Sequence, residues 1–496
     1  MAKDSVFSQD ILRQERALRL DGAMGTQIQG FNLTEADFRQ GLPVVPTRDV
    51  KGNNECLNLT RPDVIRSIHL SYVEAGADII ETNSFGANIM AQQDYGLSSI
   101  AGGMAFAAAR LAREAADSAP RKVWVAGSMG PGSKSLSLVA DFTRPEWRPC
   151  SFDEVAAAYE GQARALIEGG VDLIIIETCF DALNAKAALY GVQKARPGFP
   201  VIVSVSVSGS SGRVLTGQSL EAFFTAVSHA PLSAFGLNCS MGVEGLVPLV
   251  RSLGSWCPVP LVCYPNAGLP NSKGGYDESP EAMACHMVEM DGMVNLYGGC
   301  CGTSPDHIHA LPTLRSRVVP SCDKSLVLSG LEIWNMGNVH IKVDTAAHVG
   351  KSAGFAGMME RGEYEDALYA VSDRLAADGA SILEVNLDGL PDAPAAMERF
   401  IRLIQSDPSV SSAALLIEST DLETLTNGLK NAQGKSLAGP LDPCGSGFAE
   451  KAAALRSLGA AVLVNACEDH ALVLQELAAV GISSQDIVFE DMLMYS

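Results

Sequence analysis

The chain lacks any apolar run long enough to cross a bilayer. Its longest, such as VDLIIIETCF at 171–180, are strand-sized against the roughly 18–20 residues a span needs. The first twenty residues, MAKDSVFSQDILRQERALRL, scatter charges of both signs where a secretory leader needs an apolar core. These two absences predict a cytoplasmic protein with no membrane partner. Basic charge is short, 36 Lys and Arg against 57 Asp and Glu, and a net charge of −21 argues against nucleic acid as a main partner. Gly (47) and Pro (24) are too few in 496 residues for a disordered chain. With 47% hydrophobic content, that length fills two large domains or three small ones. Cysteine is not lacking. In a reducing compartment the twelve thiols stay free, most as small buried hydrophobes and a few as candidate ligands.

Short apolar runs alternate with Ala-rich amphipathic stretches. The runs are ALRLDG near 17, ADIIETN near 77, KVWVAGSMG near 122, VDLIIIET near 171, PVIVSVS near 200, AFGLNC near 234, PLVCYPN near 260 and MVNLYGGCC near 293. Helix-like segments such as RPDVIRSIHLSYVEAGA lie between them and reach a Gly before the next strand, as helix C-termini favour. Continuous apolar strands alternating with helices predict a parallel sheet, and eight of them predict a (β/α)8 TIM barrel over residues 1–320. Beyond SCDKSLVLSGLE the alternation restarts, with strand-like runs VHIKV, SILEVNL, AALLIES, KSLAG, AAVLVNA and DIVFE. Residues 321–496 therefore read as a second α/β domain, an incomplete barrel or an open sheet, two strands short of eight.

In such a barrel, chemistry gathers where strands enter their following loops. Standing there are Asp21, Gly22, Thr82, Asn83, Glu177, Cys239, Asn266, Cys300 and Cys301. Adjacent cysteines close a disulfide poorly, yet both can bind one ion where the backbone bends sharply, and Gly298, Gly299 and Gly302 permit that bend. Two readings stay open: a pair of buried hydrophobes, or, with Cys239, a three-thiolate zinc site that keeps one position for a ligand. A thiol arriving at that position would lose its proton and become a nucleophile, for which an electrophilic methyl group is a natural partner. His307 and His309 read as helix-face residues before ligands.

LDGAMGTQIQ (20–29), NNECLNLTRPDVIRSIHLSYVEAGADIIETNSFGAN (53–88), GLNCSMG (236–242) and GGCCGTSPDHI (298–308) resemble the homocysteine-binding domain of cobalamin-dependent methionine synthase. The resemblance spans roughly residues 10–315 and implies membership of the homocysteine S-methyltransferase family. It further implies zinc on Cys239, Cys300 and Cys301, with the homocysteine sulfur on the metal and methionine as product. Residues matching Asp21, Gly22, Thr82, Phe85 and Glu177 would hold the amino and carboxylate ends of homocysteine, with Asn266 near zinc.

Residues 321–496 resemble the folate-binding barrel that follows in methionine synthases, with departures. Asp344, Thr345, Ala346, Ala347 and His348 stand where that family carries Gly-Glu-Arg-Thr-Asn. Its strand-end aspartates fall at Glu384, Glu418, Glu468 and Glu490, and its Asn positions at Gly439 and Met492. A pterin clamp tolerates displacements of only about half an ångström, so these changes weigh against folate and favour a spacer or docking domain. No segment carries a cobalamin-binding Asp-x-His-x-x-Gly signature. Methylcobalamin is accordingly expected on a separate corrinoid protein. Two alternatives stay open: direct use of S-methylmethionine or S-adenosylmethionine, and a non-catalytic zinc-binding docking subunit.

Overall fold

The computed structural model describes residues 6–321, 325–337, 341–378 and 381–495. Eight strands form the first sheet: β1 (Leu18–Arg19), β2 (Ile79–Glu81), β3 (Trp124–Met129), β4 (Leu173–Cys179), β5 (Val201–Val205), β6 (Ala234–Asn238), β7 (Leu261–Tyr264) and β8 (Leu296–Tyr297). They coincide with the eight expected runs and pair in the order β1-β8-β7-β6-β5-β4-β3-β2, all parallel. A parallel bridge from Leu20 to Ile79 joins the two ends, so the sheet closes as a TIM-like barrel. Helices such as Phe152–Gly169 and Ala182–Ala195 cover the outside. The first of these is bounded by chain chemistry: Ser151 and Glu154 form a capping box at its start, and Gly170, at φ +104°, ends it in a left-handed turn.

Alternation along the strands sorts side chains into two cores. Ile174 and Ile176 face the helices, whereas Leu173 and Ile175 face the barrel interior with Ile79, Val262 and Leu296. The floor of that interior is plugged by Phe7 and Ile11 of the helix Val6–Arg13.

A hairpin that the sequence pattern did not disclose follows, β9 (Val327–Ser329) paired antiparallel with β10 (Ile333–Asn335). Leu326, Leu328, Met336 and Trp334 join the interior of the second sheet, so this hairpin plugs a floor as the N-terminal helix does in the first barrel. The second sheet consists of β11 (Ile341–His348), β12 (Ile382–Asn386), β13 (Ala414–Glu418), β14 (Leu437–Leu441), β15 (Ala461–Val464), β16 (Ile487–Phe489) and β17 (Leu493–Tyr495). The six expected runs are β11 to β16; residues 339 and 340 of the first run lie outside the described residues. The seventh strand was not foreseen. Its order, β16-β15-β14-β13-β12-β11-β17, puts two strands that are consecutive in the chain on opposite edges. The short turn Glu490–Met492 links them, so one length of chain lies against β15 and then β11 and nearly closes the ring.

The two barrels touch through side chains of the first barrel's outer helices and of the segment that precedes Phe152–Gly169. Buried Lys186 donates from Nζ to the carbonyls of Ala432 (3.0 Å) and Gly434 (3.3 Å). Arg148 donates to Ser406 Oγ at 3.2 Å, and Lys430 pairs with Asp153 at 2.7 Å. Among the described residues no helix is long and apolar enough to cross a membrane.

Candidate active site and metal centre

The alternation that fills the barrel also delivers the site. Continuing in steps of two from the interior residues Ile79, Ile175, Ala234, Tyr264 and Leu296 reaches Glu81, Glu177, Asn238, Asn266 and Cys300 at the carboxyl ends of their strands. Cys239 falls on the opposite parity and arrives differently. Its φ is +57° and that of Ser240 +64°, a left-handed turn uncommon for residues with side chains and found where surrounding structure enforces it. Cys239 Sγ thereby lies 4.0 Å from Cys301 Sγ, and the sulfurs of Cys239, Cys300 and Cys301 all lie within 4.8 Å of one another. The glycines beside the pair are sterically required. A Cβ on Gly298 would sit 2.7 Å from Leu20 Cβ, and Gly302, at φ +83°, would drive a Cβ to 2.3 Å from that of Tyr276.

Three thiols this close ionise unequally. Cys239 Sγ and Cys301 Sγ share a 4.0 Å contact, and interaction with its two neighbours holds Cys239 down to about 2 while it raises Cys300 and Cys301. Three thiols at this spacing resist ionising together, and a divalent cation would let all three ionise. The donor set fits zinc: three sulfurs with room for a fourth ligand. Asn266 adds an oxygen, because its side chain is buried and donates to Cys239 while its Oδ1 has no hydrogen-bond partner.

Deeper on the β1, β2 and β4 side stand three buried carboxyl groups. Asp21 accepts the Glu81 amide at 3.0 Å. Ser128 Oγ donates to Glu177 Oε1, and the Tyr264 hydroxyl donates to Glu177 Oε2 at 3.4 Å. Burial first, and mutual repulsion with Glu177 second among the raising causes, push Asp21 and Glu81 well above the carboxylate range. Burial raises Glu177 to about 7. Among the described residues no Lys or Arg pairs with any of the three, and Glu81 Oε1 is buried without a partner. The cluster lacks a cation of its own.

Thr82 is spent locally, sharing a 2.5 Å hydrogen bond with Ser84 Oγ and accepting the Ser128 amide at 3.0 Å. Phe85 lies half-exposed at the rim with its ring over Gly130. Gly22 is pressed against Thr303, whose Oγ1 would lie 2.6 Å from an added Cβ. Gly22, Thr82, Phe85, Glu177, Cys239, Cys300 and Cys301 all line one cleft of about 610 Å³ that continues past Gly132 to Gln92 and Tyr95. Asp21 and Asn266 are buried beside it. His307 bonds to Ser304 and to the Glu278 carbonyl (2.9 Å) rather than to the sulfurs, and His309 is exposed. Sequence reasoning missed Glu81, Ser128, Asn238, Tyr264 and Tyr276. Counting inward parity along the strands would have found Glu81 and Asn238; nothing local marks Tyr276.

The second barrel mouth holds a different cluster. His348 Nε2 lies 3.9 Å from Glu384 Oε1 and 3.9 Å from Glu418 Oε1. Lys351 Nζ contacts both Glu384 oxygens (2.9 and 3.0 Å) and sits 3.9 Å from the centre of the Tyr495 ring. Glu384 is pushed up to about 8, first by burial and then by a hydrogen bond shared with Glu418.

A family model described as Homocysteine S-methyltransferase matches residues 18–314. Among solved structures, the oxidized form of the homocysteine methyltransferase MmuM from Escherichia coli is 23% identical, with a TM-score of 0.49, over 62% of this chain and 98% of that one. Its metallated form is 26% identical, with a TM-score of 0.47, over 62% and 98% of the two chains.

Proposed function

We propose that this chain, which belongs to the homocysteine S-methyltransferase family and is a methyltransferase, forms methionine from homocysteine with zinc on Cys239, Cys300 and Cys301. In this reading the methyl group comes from a separate methylcobalamin protein. One observation carries it: three sulfurs within 4.8 Å of one another and three carboxyl groups with no Lys or Arg partner among the described residues meet at one barrel mouth. Zinc, when bound, stabilises the thiolate form of a thiol at its open position and so makes it nucleophilic at neutral pH. The chain's own residues do the rest. Asp21, Glu81 and Glu177 take the substrate ammonium, whose charge offsets their repulsion. Ser128 and Tyr264 hold the Glu177 carboxyl toward the cleft. Asn266 Oδ1 is the candidate oxygen donor beside the sulfurs.

A protein-borne methyl donor is supported by the rim. Exposed Phe31, Phe85, Ile89, Phe142 and Leu269 lie in the segments that follow β1, β2, β3 and β7, an apolar border suited to a docking protein. A second reading, a sulfonium donor used directly, is favoured by the buried Glu55 carboxyl in the cleft wall, where a cation would be welcome. Residues 321–496 are read as a support rather than a pterin site, because Lys351 already occupies the Glu384 oxygens. The test is to incubate the zinc-loaded protein and homocysteine with a methylcobalamin protein, S-methylmethionine or S-adenosylmethionine in turn. Methionine from the corrinoid arm alone is expected. Methionine from a sulfonium without corrinoid would replace the first reading with the second, and none from any arm would remove both.

A further inference from the structure

The segment between β3 and the helix Phe152–Gly169, residues 130–151, starts in the cleft and ends against the second barrel. It exceeds the roughly 12–15 residues within which most connections stay, and ordered connections of such length are usually functional. Its first residues form part of the cleft wall. Pro131, Gly132 and Ser133 line the cleft, and the Gly130 amide donates to the Phe85 carbonyl at 2.9 Å, beneath the Phe85 ring. The next residues are tied to the start of the helix Ala182–Ala195. Ser135 Oγ and Ser137 Oγ donate to Asp181 (2.5 and 2.7 Å), the Leu136 amide donates to Asn184 Oδ1 (2.9 Å), and Asn184 Nδ2 donates to the Lys134 carbonyl (2.8 Å).

Arg148 closes the segment from the other side. It is only 6% exposed, and its Nε donates to the Leu136 carbonyl at 2.9 Å, so Leu136 is held through both of its backbone groups. Nη1 donates to the carbonyls of Pro145 (2.6 Å) and Trp147 (2.9 Å), and Nη2 donates to Ser406 Oγ at 3.2 Å. Ser406 ends the helix Ala393–Ser406 of the second barrel. Its hydroxyl lies 2.9 Å from the Pro145 carbonyl and 2.7 Å from the Arg402 carbonyl of its own helix. Arg399 on the same helix pairs with Glu146 at 3.1 Å. A guanidinium is planar and donates in fixed directions, so it carries the placement of Ser406 to Leu136 as a rigid plate, which a lysine cannot do. Between these two ties the segment bears Phe142 at its tip, 89% exposed.

We infer that Arg148, seated on Ser406, is a positioning residue through which the second barrel holds the wall of the first barrel's cleft. What fills the cleft rests on the reading above; the brace itself is a property of the ligand-free protein. A wall that is open part of the time lowers apparent affinity by the fraction that stays closed. Chymotrypsin reads the brace directly, because the segment around Phe142 must detach locally before it is cut. Exposed Tyr369, inside the helix Tyr364–Asp378, reports unfolding of the second barrel in the same digest. In the full chain, Ser406→Ala combined with Arg399→Gln removes both contacts from the second-barrel side, and Arg148→Lys keeps the charge but loses the fork. The expected result in each is cleavage after Phe142 about tenfold faster with Tyr369 unchanged, and a homocysteine KM raised about tenfold with kcat within about twofold. Ser406→Thr, which keeps the hydroxyl, should be cut at the parent rate. Should Arg148→Lys fail to fold, the Ser406 and Arg399 double variant decides. Unchanged cleavage after Phe142, a rise shared with Tyr369, or faster cleavage with an unchanged KM each overturns the inference and leaves plain packing between barrels. A parent that forms no methionine with any donor removes the substrate reading instead, and the cleavage rates still decide the brace.

Discussion

The two barrel mouths are built alike and finished differently. In both, strands carry acidic residues to their carboxyl ends, two positions beyond the last interior apolar residue: Glu81 and Glu177 after Ile79 and Ile175, Glu384 and Glu418 after Ile382 and Leu416. In the second mouth Lys351 contacts both Glu384 oxygens, Asn386 donates to Glu418 Oε1 at 3.3 Å and His348 faces both acids. In the first, among the described residues, no cation does so for Asp21, Glu81 and Glu177, and three thiols stand beside them. Buried like charges disfavour the folded state, so a cluster left incomplete is the expected form of a site that a ligand completes. In the second mouth the chain supplies its own cation, Lys351 on Glu384, while Glu418 Oε2 stays buried without a partner.

The sharpest way to break this comparison is to remove one sulfur. Cys301→Ser is expected to abolish stoichiometric zinc and to lower methyl transfer by on the order of 10³-fold, the scale of losing a metal-activated nucleophile. Glu418→Gln should change neither; metal analysis and turnover assays on both proteins decide. Next, Glu177→Gln should raise the homocysteine KM by roughly 10- to 100-fold, the worth of a charge-assisted hydrogen bond, with no loss of thermal stability. Lys351→Met should do the reverse. It leaves KM alone and costs about 1 kcal/mol in urea unfolding, because Glu384, already raised to about 8, loses the Lys351 hydrogen bonds and stays protonated.

A pH series sharpens the same contrast. Glu177 ionises at about 7 in the folded protein, above the usual carboxylate value. Below that pH it is neutral and attracts no ammonium. Methionine, which has no thiol to titrate, should therefore bind more tightly as pH rises through about 7, as read by calorimetry. In the absence of ligand the sign is opposite. A carboxyl whose folded value is raised contributes stability below its unfolded value of about 4.3 and loses it as pH rises toward 7. The smallest effect is expected at the junction of the barrels. Burial lowers Lys186 to about 7, so the unfolded chain binds the extra proton between about 7 and 10 and stability should rise with pH there. Lys186→Met should flatten that slope in urea midpoints measured at pH 7 and pH 9.

Much of the first barrel was legible because each strand and helix declares itself by local periodicity and by glycine-ended helices, as at Gly170. The Cys300–Cys301 pair was legible for the same reason, with its glycine frame adjacent in the chain. Glu81 was hidden by its neighbour: Thr82 looked like the polar strand end, but its hydroxyl is consumed by Ser84 and Ser128. Tyr276 was hidden because it comes from the segment between β7 and β8, and only the fold lays it on Gly302. The seventh strand of the second sheet was missed because Leu493–Tyr495 follows β16 with no helix between, which breaks the alternation used to find strands.

By itself the sequence determined the eight strands of the first barrel, six of the seven strands of the second sheet and where two vicinal thiols sit in a glycine-rich bend. Those properties depend on sterics and side-chain pattern within a few residues. Only the tertiary structure decided that Cys239 Sγ reaches that pair, that Asp21, Glu81 and Glu177 gather with no Lys or Arg partner among the described residues, and that Glu384 in the second mouth meets Lys351. Such encounters depend on the register and closure of a whole barrel, where residues some sixty positions apart, as Cys239 and Cys301 are, come within 4.0 Å.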